Sequence, residues 1–351
     1  MKRNHMVDVL KGISILCVIV THFNWQSSDR LVPVFPFLID MAVPVFMILS
    51  GYVYAISFER RGISSIGQAY QMGYVMDKLL RYTIPFLFIY ALELIAFYRL
   101  GVVHNLREII WNFLVGGFGH GSYYYPIMIQ FIFVFPMVFF LIKKYEFFGL
   151  ILSGLLNAFY ELLQKSYYVS DKQYRLLLFR YLLLIAFGCY LHLKKGKIRK
   201  PIGIVSALTG IFFIWMYTYR HYVPHLVVHW SGTSFVGALY VMPVVGLLLC
   251  SEKLNRIKCP PIELLGKASY HIFLFQMFFY QFITYPIQVR FADAPTAILL
   301  FVSIAVCVSC GLLFWVIETR VSKWIRKGIS AMNLRHLCQR ARNYVNAKAV
   351  R

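Results

Sequence analysis

Apolar blocks of roughly twenty residues recur along almost the whole chain, and short basic segments separate them. A helix needs about that length to cross a bilayer core of ~30 Å. Of the 351 residues, 60% are hydrophobic and 14% are charged. A soluble domain is nearer to about half apolar and about a quarter charged. We therefore predict an all-α, polytopic membrane protein, since a membrane β-barrel would show short alternating segments instead.

The blocks predict about ten transmembrane helices. Their approximate bounds are 7–24, 34–57, 80–98, 124–142, 147–163, 175–193, 202–219, 233–250, 268–288 and 296–317. The weakest of these predictions is 202–219. The segment 109–118 is too short to span a bilayer and fits a re-entrant or interfacial helix. No small-residue cleavage site follows the run 13–20, so we expect the first block to be a span rather than a cleaved signal peptide.

The basic residues indicate an orientation. With the N-terminus inside, about three quarters of the 36 Lys and Arg residues fall on inner segments. One missed helix would reverse this bias, so it supports both the count and cytoplasmic termini. The same segments explain the formal charge of +22 better than nucleic-acid binding does. We divide the chain into a membrane domain, 1–327, and a basic cytoplasmic tail, 328–351, which would lie on the anionic inner membrane surface.

Ionisable side chains inside membrane spans are costly and are therefore functional candidates. Lys11 and His22 are eleven residues apart on the first helix, so both point to one face, ~16 Å apart along the axis. They could equally be a snorkelling Lys and an interfacial His with no shared role. Asp40 could orient the ring of His22, or it could be a water-facing acid. Arg81 could bind phosphate bidentately, or it could simply follow the topology rule.

Other polar positions have plainer interpretations. Glu93 and Arg180 could neutralise each other across helices, which would be a structural role. Ser50 lacks the surroundings of a nucleophile, so we interpret it as a packing residue. The seven cysteines show no spacing that suggests a zinc site or a disulfide framework.

A histidine series and a glycine-rich stretch complete the candidates. His221, His225 and His229 are spaced by four, but Pro224 interrupts the series, so we expect no metal site. The stretch 116–125 is glycine-rich and then aromatic, and it lies on the outer side of the predicted topology. It does not match a phosphate-binding loop. Its aromatic residues suit either sugar stacking or an interfacial belt.

Five blocks stand in an order that is found in a known family. They are Asp8 to Lys11 with His22, AVPVFMILSGY over 42–52, Arg81 with Pro85, Tyr124-Tyr125-Pro126, and LGKASYHIFL over 265–274, with Glu318 closing the last helix. In this order the blocks resemble the integral-membrane acyltransferase type 3 family. Members of that family are bacterial enzymes that mostly O-acetylate cell-surface glycans. The resemblance extends over about 8–327, which is nearly the whole predicted membrane domain.

The resemblance implies a membrane O-acyltransferase of the bacterial inner membrane. It would move an acetyl group from cytoplasmic acetyl-CoA, its donor substrate, to a hydroxyl of an exported glycan or lipid-linked sugar, with no permanently bound cofactor. His22 would be the general base or a transient acyl carrier, with Asp40 as its orienting partner. The predicted ligands of the CoA phosphates are Lys11 and Arg81. The residues predicted to line the glycan entrance are His120, Tyr124 and Tyr125.

Two positions depart from the family pattern. Lys11 stands where Arg is usual, which keeps the charge but loses the bidentate fork. Gln276 stands where many members have His. The alternative functions are a transporter or flippase for a lipid-linked sugar or small solute, and a sensory membrane domain without catalysis. We see no internal repeat, which disfavours an inverted-repeat transporter.

Overall fold

The computed structural model describes residues 4–25, 29–119, 121–166, 171–194, 200–222, 234–284, 290 and 294–349. Within these residues the regular elements are helices and no strand occurs, which confirms the predicted all-α class. The α-helices are α1 (His5–His22), α2 (Ala42–Arg60), α3 (Ile66–Ala69), α4 (Met72–Arg99), α5 (Leu106–Leu114), α6 (Tyr124–Ser166), α7 (Asp171–Leu176), α8 (Leu182–Leu193), α9 (Lys200–Tyr219), α10 (Phe235–Ala238), α11 (Val241–Cys250), α12 (Glu252–Asn255), α13 (Pro260–Phe279) and α14 (Thr296–Ala349). The segments Phe35–Ile39 and Tyr280–Thr284 are π-helical. Asp29–Leu31 and Leu178–Tyr181 are 3₁₀-helical.

In the described part of the chain, six helices are long and apolar enough to cross a membrane. They are His5–His22, Phe35–Arg60, Met72–Arg99, Tyr124–Leu163, Lys200–Tyr219 and Thr296–Ile325. Two shorter apolar segments, Leu178–Leu193 and Phe235–Cys250, accompany them. These helices have the length and composition that the prediction of a polytopic membrane protein requires. The count of ten and the cytoplasmic termini stay predictions.

α6 contains a reversal of the chain. Glu146 has φ 49° and ψ −117°, which is not helical. A Cβ placed at Gly149 would lie 3.1 Å from the carbonyl oxygen of Leu141. Eight residues of straight helix would separate these two positions by about 12 Å. α6 is therefore a helical hairpin, and its two arms correspond to the predicted spans 124–142 and 147–163.

Glycines bring α1 and α13 into backbone contact. A Cβ on Gly266 would lie 1.9 Å from the carbonyl oxygen of Asp8, and one on Gly12 would lie 2.2 Å from that of Ile262. Lipid tails give no hydrophobic driving force between helices, so membrane helices associate largely through close packing of small residues. The first helix is therefore fixed against a helix that lies near the other end of the sequence.

Glycines also bring α2 and α8 into backbone contact. A Cβ on Gly51 would lie 2.0 Å from the carbonyl oxygen of Ile185, and one on Gly188 would lie 1.9 Å from that of Ile48. Around each pair the buried side chains form one apolar cluster. One cluster is centred on α2, α6 and α8, and the other on α1, α4, α13 and α14. The functional cavity described below lies between these two clusters.

Polar pairs join the helix ends at one end of the bundle. We call the end at which α1 begins the basal end, and the end at which α1 finishes the distal end. The basal pairs are His5 with Glu263 (3.0 Å), His192 with Glu59 (2.8 Å) and Lys194 with Glu146. All six residues lie on or next to segments that the sequence analysis placed inside. At the distal end, Tyr280 donates a hydrogen bond to the carbonyl of Ile19 (2.9 Å).

Several predicted boundaries differ from the observed helices. α13 begins at Pro260, eight residues before the predicted start at 268, because proline suits the first helical turn even where charged residues lower the hydropathy. The predicted span 34–57 is interrupted where the π-helix ends at Ile39. α14 runs without a break from Thr296 to Ala349, so the predicted boundary at residue 327 falls within one helix.

Candidate active site

A cavity of ≈ 730 Å³ lies between the two apolar clusters. Side chains from α1, α2, α4, α6, α13 and α14 line it. Its ionisable lining residues are Asp8, Lys11, Asp77, Arg81, Tyr82, Tyr124, Lys267, Tyr270, His271, Glu318 and Lys323. Such a set of charges inside an apolar helical bundle marks a functional chamber, because buried charges are costly unless they are used or paired.

The two residues predicted to hold phosphate share this cavity. Lys11 is half-buried on α1, and Arg81 reaches the cavity from α4. Asp8, one turn earlier on α1, attracts the Lys11 ammonium, while Arg81 is close enough to repel it. Lys11 and Arg81 therefore act in one electrostatic environment, as their prediction requires. Their role in binding a ligand stays a prediction.

His22 ends α1, and its ring is fixed by the preceding turn. Its Nδ1 lies 3.0 Å from the carbonyl oxygen of Val18. A carbonyl oxygen can only accept, so Nδ1 carries the hydrogen and Nε2 is the basic nitrogen of the neutral ring. Nε2 points toward Gly121, because a Cβ on that glycine would lie 3.6 Å from it. The contact with Val18 therefore favours the tautomer that a general base requires.

His22 lies at the distal limit of the cavity. It does not line the cavity itself, but Val18, Tyr124 and Phe273 do. The rings of Tyr124 and Phe273 are 4.9 Å apart. A Cβ on Gly121 would lie 3.4 Å from Phe273 as well as 3.6 Å from the His22 ring. The narrow space beside Gly121 is therefore where the cavity wall meets His22, and the φ of +89° there favours glycine.

Glu93 holds the glycine-rich loop, 115–123, over His22. Its side chain is only 1% exposed, and its Oε2 accepts a hydrogen bond from the backbone N–H of Phe118 (3.2 Å). A Cβ on Gly119 would lie 3.4 Å from its Oε1. The loop that brings Gly121 to His22 is thus anchored from beneath by a buried carboxylate on α4.

The prediction that Glu93 and Arg180 neutralise each other is wrong. The Arg180 guanidinium lies over the rings of Tyr174 (4.7 Å) and Tyr181 (5.3 Å), and Glu161 is the carboxylate that acts on it. Glu93 accepts a hydrogen bond from a backbone N–H instead. Every residue except proline has such a donor, so the sequence does not show which N–H will bind the carboxylate.

Asp40 follows the π-helix that precedes α2. Its backbone N–H donates to the carbonyl of Phe35 (2.9 Å), and the charge that acts on its carboxyl is Arg30. Arg30 in turn donates to the carbonyl of Thr21 (3.2 Å), next to His22. Among the described hydrogen bonds none joins Asp40 to His22. Its orienting role stays a prediction, and the Val18 carbonyl makes the contact expected of that role.

The predicted glycan residues divide between two environments. Tyr124 lines the cavity together with Ser50, whose hydroxyl acts on that of Tyr124. Tyr125 does not line the cavity. Its ring stacks on that of Phe86 at 3.8 Å, and its hydroxyl lies 3.2 Å from that of Thr83. His120 lies outside the described residues.

One cavity pair was not predicted from sequence. Nε2 of His271 on α13 lies 2.8 Å from Oε2 of Glu318 on α14, and both residues line the cavity. Ser322 donates to the other carboxylate oxygen. Both His271 and Glu318 stand out in the sequence as ionisable groups in apolar helices, but 47 positions separate them. Only the antiparallel packing of two helices reveals that they meet.

No set of three metal-ligating side chains is present in the described ranges. His225 and His229 of the spaced histidine series lie outside those ranges. The described cavity offers cations and hydrogen-bonding groups, which suit an anionic organic substrate.

Comparison with known proteins gives one match. A family model described as an acyltransferase domain, that of the acyltransferase type 3 family, matches residues 4–315. No curated protein and no solved structure matches the chain. The match extends from the start of α1 into α14 and includes Lys11, His22 and Arg81. The chain therefore belongs to the acyltransferase type 3 family, and this helical bundle is a membrane acyltransferase.

Proposed function

We propose that the protein transfers an acetyl group from cytoplasmic acetyl-CoA to a hydroxyl of a cell-surface or exported glycan, in the bacterial inner membrane. One observation carries the proposal. A single cavity extends from Lys11 and Arg81 to Val18 and Phe273, the residues beside His22. A donor that is anionic at one end and reactive at the other fits such a cavity.

The donor would bind from the basal end. Acetyl-CoA carries phosphates at one end and the thioester at the end of a flexible arm. Lys11, Arg81, Lys267 and Lys323 all line the cavity and supply positive charge for the phosphates. Lys11 and His22 are separated by ~16 Å along α1, which leaves the length of the arm between the cations and the base.

The chemistry would take place at Nε2 of His22. Nε2 takes the proton of the acceptor hydroxyl as that oxygen attacks the thioester carbonyl. The C–S bond breaks, and the CoA thiolate leaves and takes the proton from the imidazolium. In a second route Nε2 itself attacks the thioester and expels the CoA thiolate. The acyl-imidazole then transfers its acyl group to the hydroxyl, and the thiolate takes up the proton that the hydroxyl releases. Both routes need the hydrogen on Nδ1, which the Val18 carbonyl fixes.

The acceptor would approach from the distal end. Tyr124 lines the cavity, and Gly121 lies beside Phe273 and the His22 ring. Glycines allow a sugar ring to approach the backbone closely, and an aromatic face offers a surface for stacking. His120 and Tyr125 remain predicted contributors to this glycan-facing surface.

The decisive experiment needs no acceptor. Purified protein in lipid is incubated with labelled acetyl-CoA, and its hydrolysis is compared between wild type and His22→Ala. We expect slow hydrolysis by the wild type, and its loss in the variant with unchanged membrane insertion. His221→Ala, which removes a histidine exposed beyond the end of α9, is the matched control and should keep full activity. If the wild type neither binds nor hydrolyses acetyl-CoA, the donor assignment fails, and this membrane acyltransferase uses a different acyl donor.

A further inference from the structure

Gln276 is a polar residue that no step above uses. It lies on α13 and is fully buried, at 0% exposure. Its amide nitrogen, as drawn, lies 3.3 Å from Nδ1 of His22. Its amide oxygen is buried and has no hydrogen-bond partner among the residues that the structure describes. A buried amide that faces the central histidine and leaves its acceptor unused requires an explanation, because buried polar atoms are nearly always hydrogen-bonded.

The donors and acceptors around Nδ1 decide how the amide faces it. The Val18 carbonyl can only accept, so the hydrogen is on Nδ1. Two N–H groups do not bond to each other, so the Gln276 amide must turn its oxygen toward Nδ1. Rotation of an amide by 180° keeps its shape and exchanges its oxygen and nitrogen. The same rotation gives the unused oxygen a partner in the Nδ1 hydrogen, and it moves the NH2 group to the place that the oxygen leaves.

We propose that Gln276 is a positioning residue, whose amide oxygen joins the Val18 carbonyl in accepting the Nδ1 hydrogen of His22 and so keeps Nε2 as the reactive nitrogen. The inference deepens the proposed function and rests on it for its kinetic test. Gln276 acts through His22 and touches no substrate. Both acceptors that the described residues place at Nδ1, the Val18 carbonyl and the Gln276 amide oxygen, are neutral.

The charged and titratable neighbours are few among the described residues. Tyr280 lies on the π-helix that continues α13, with its ring 6.3 Å from that of His22. Arg30 donates to the neighbouring Thr21 carbonyl. Glu93 bonds to the loop on the other side of the ring. Asp40 lies with Arg30. A carboxylate introduced at position 276 would therefore be a new negative charge next to Nδ1.

The first test reads the tautomer directly and needs no turnover. Protein labelled with ¹⁵N-histidine is reconstituted in lipid, and the His22 ring signals are identified in solid-state NMR spectra by their absence in His22→Gln. We expect a protonated Nδ1 and an unprotonated Nε2 in the wild type near neutral pH. Gln276→Met, which has a similar volume and no amide acceptor, should move the Nδ1 signal away from its wild-type position. A wild-type ring with its hydrogen on Nε2 would overturn the proposal.

The second test uses acetyl-CoA hydrolysis. In Gln276→Met, kcat should fall roughly five- to tenfold, the loss expected for one neutral hydrogen bond, with little change in the KM for acetyl-CoA. In Gln276→Glu, the acid limb of the kcat/KM profile should move up by about 1 pH unit or more, because an opposite charge at this distance favours the protonated ring. A residue with only a packing role would lower activity without moving the pH profile.

The two tests separate failure of this inference from failure of the proposed function. If both Gln276 variants keep the wild-type His22 signals and the wild-type pH profile, the positioning role is wrong. If the wild type shows no acetyl-CoA turnover at all, the proposed function is wrong, and the NMR spectra still decide how Gln276 faces the ring.

Discussion

His22 and His271 are held by different kinds of partner, although both lie beside the same cavity. The Nδ1 of His22 bonds to a backbone carbonyl and faces an amide. The Nε2 of His271 lies 2.8 Å from a carboxylate on α14. Five residues of α13 separate His271 from Gln276, so the two sites are about 7.5 Å apart along that helix.

This difference in hydrogen-bond partners indicates a chemical role for one histidine and a structural role for the other. The acceptors described at Nδ1 of His22 are neutral, and in the proposed mechanism Nε2 would take and return a proton in each turnover. The carboxylate of Glu318 ties His271 to a second helix and places the pair in the charge pattern of the cavity wall. We therefore interpret His22 as the chemical residue and His271 as a clamp between α13 and α14.

The largest expected effect separates the two histidines directly. His22→Gln should lower kcat by about 10³-fold, within the range for loss of a general base or nucleophile. His271→Gln should lower it by less than about tenfold, because an amide can still bond across to Glu318. The measurement is acetyl-CoA hydrolysis at saturating donor. Equal losses of kcat in the two variants would contradict the assignment of different roles to His22 and His271.

The next largest effect concerns Lys11, one of the cationic residues that line the cavity. Lys11→Ala should raise the KM for acetyl-CoA about 10- to 100-fold and leave kcat nearly unchanged, since a hydrogen bond to a charged group contributes about 1.5–3 kcal/mol. Lys11→Arg should keep most of the affinity. Lys194→Ala is the matched control, because Lys194 pairs with Glu146 at the basal end and does not line the cavity. A fall in kcat with an unchanged KM would place Lys11 in the chemistry instead.

A smaller effect on activity tests the clamp. Glu318→Ala should reduce the free energy of unfolding by about 3–5 kcal/mol, since it leaves one member of a buried pair without its partner. Thermal unfolding in detergent measures the loss. The double variant His271→Gln with Glu318→Gln should be more stable than Glu318→Ala, because two amides can bond to each other. If Glu318→Ala has the same thermal stability as the wild type, the His271–Glu318 pair does not stabilise the packing of α13 against α14.

The smallest effect concerns the loop over His22. Glu93→Ala should lower the acceptor-dependent rate roughly threefold to tenfold, by loss of one hydrogen bond to the loop backbone. Glu93→Gln keeps an oxygen that accepts from Phe118, so it should stay close to wild type. Glu108→Gln, at the exposed start of α5, is the control. A larger loss in the Gln variant than in the Ala variant would require a different role for Glu93.

Part of this site could be predicted from sequence because it follows helix geometry. The spacing of Lys11 and His22 places both on one face of α1 before any packing is known. The polytopic all-α class follows from the apolar blocks in the same way. Lys11 and Arg81 do share one cavity, although the cavity itself arises from six helices and has no local signature.

The remaining features depend on contacts that sequence patterns do not encode. Glu93 bonds to a backbone N–H, which every residue except proline carries. Hydropathy placed the start of α13 too late, because Glu263 and Lys267 lower the average even though the helix already begins at Pro260. The role of Gln276 depends on which amide atom faces His22, and this is a question of donors and acceptors in space.

The pairing of α1 with α13 has a consequence for biosynthesis. About 240 residues lie between the end of α1 and the start of α13. Ribosomes add roughly 5–20 residues per second. His22 would therefore enter the membrane roughly 12–50 s before Gln276 is made. Through that interval the nascent chain contains His22 without α13, the helix that holds Gln276 next to its ring. An unfinished chain would thus lack the wall of the cavity that α13 supplies, so the candidate site is assembled only after α13 has been made.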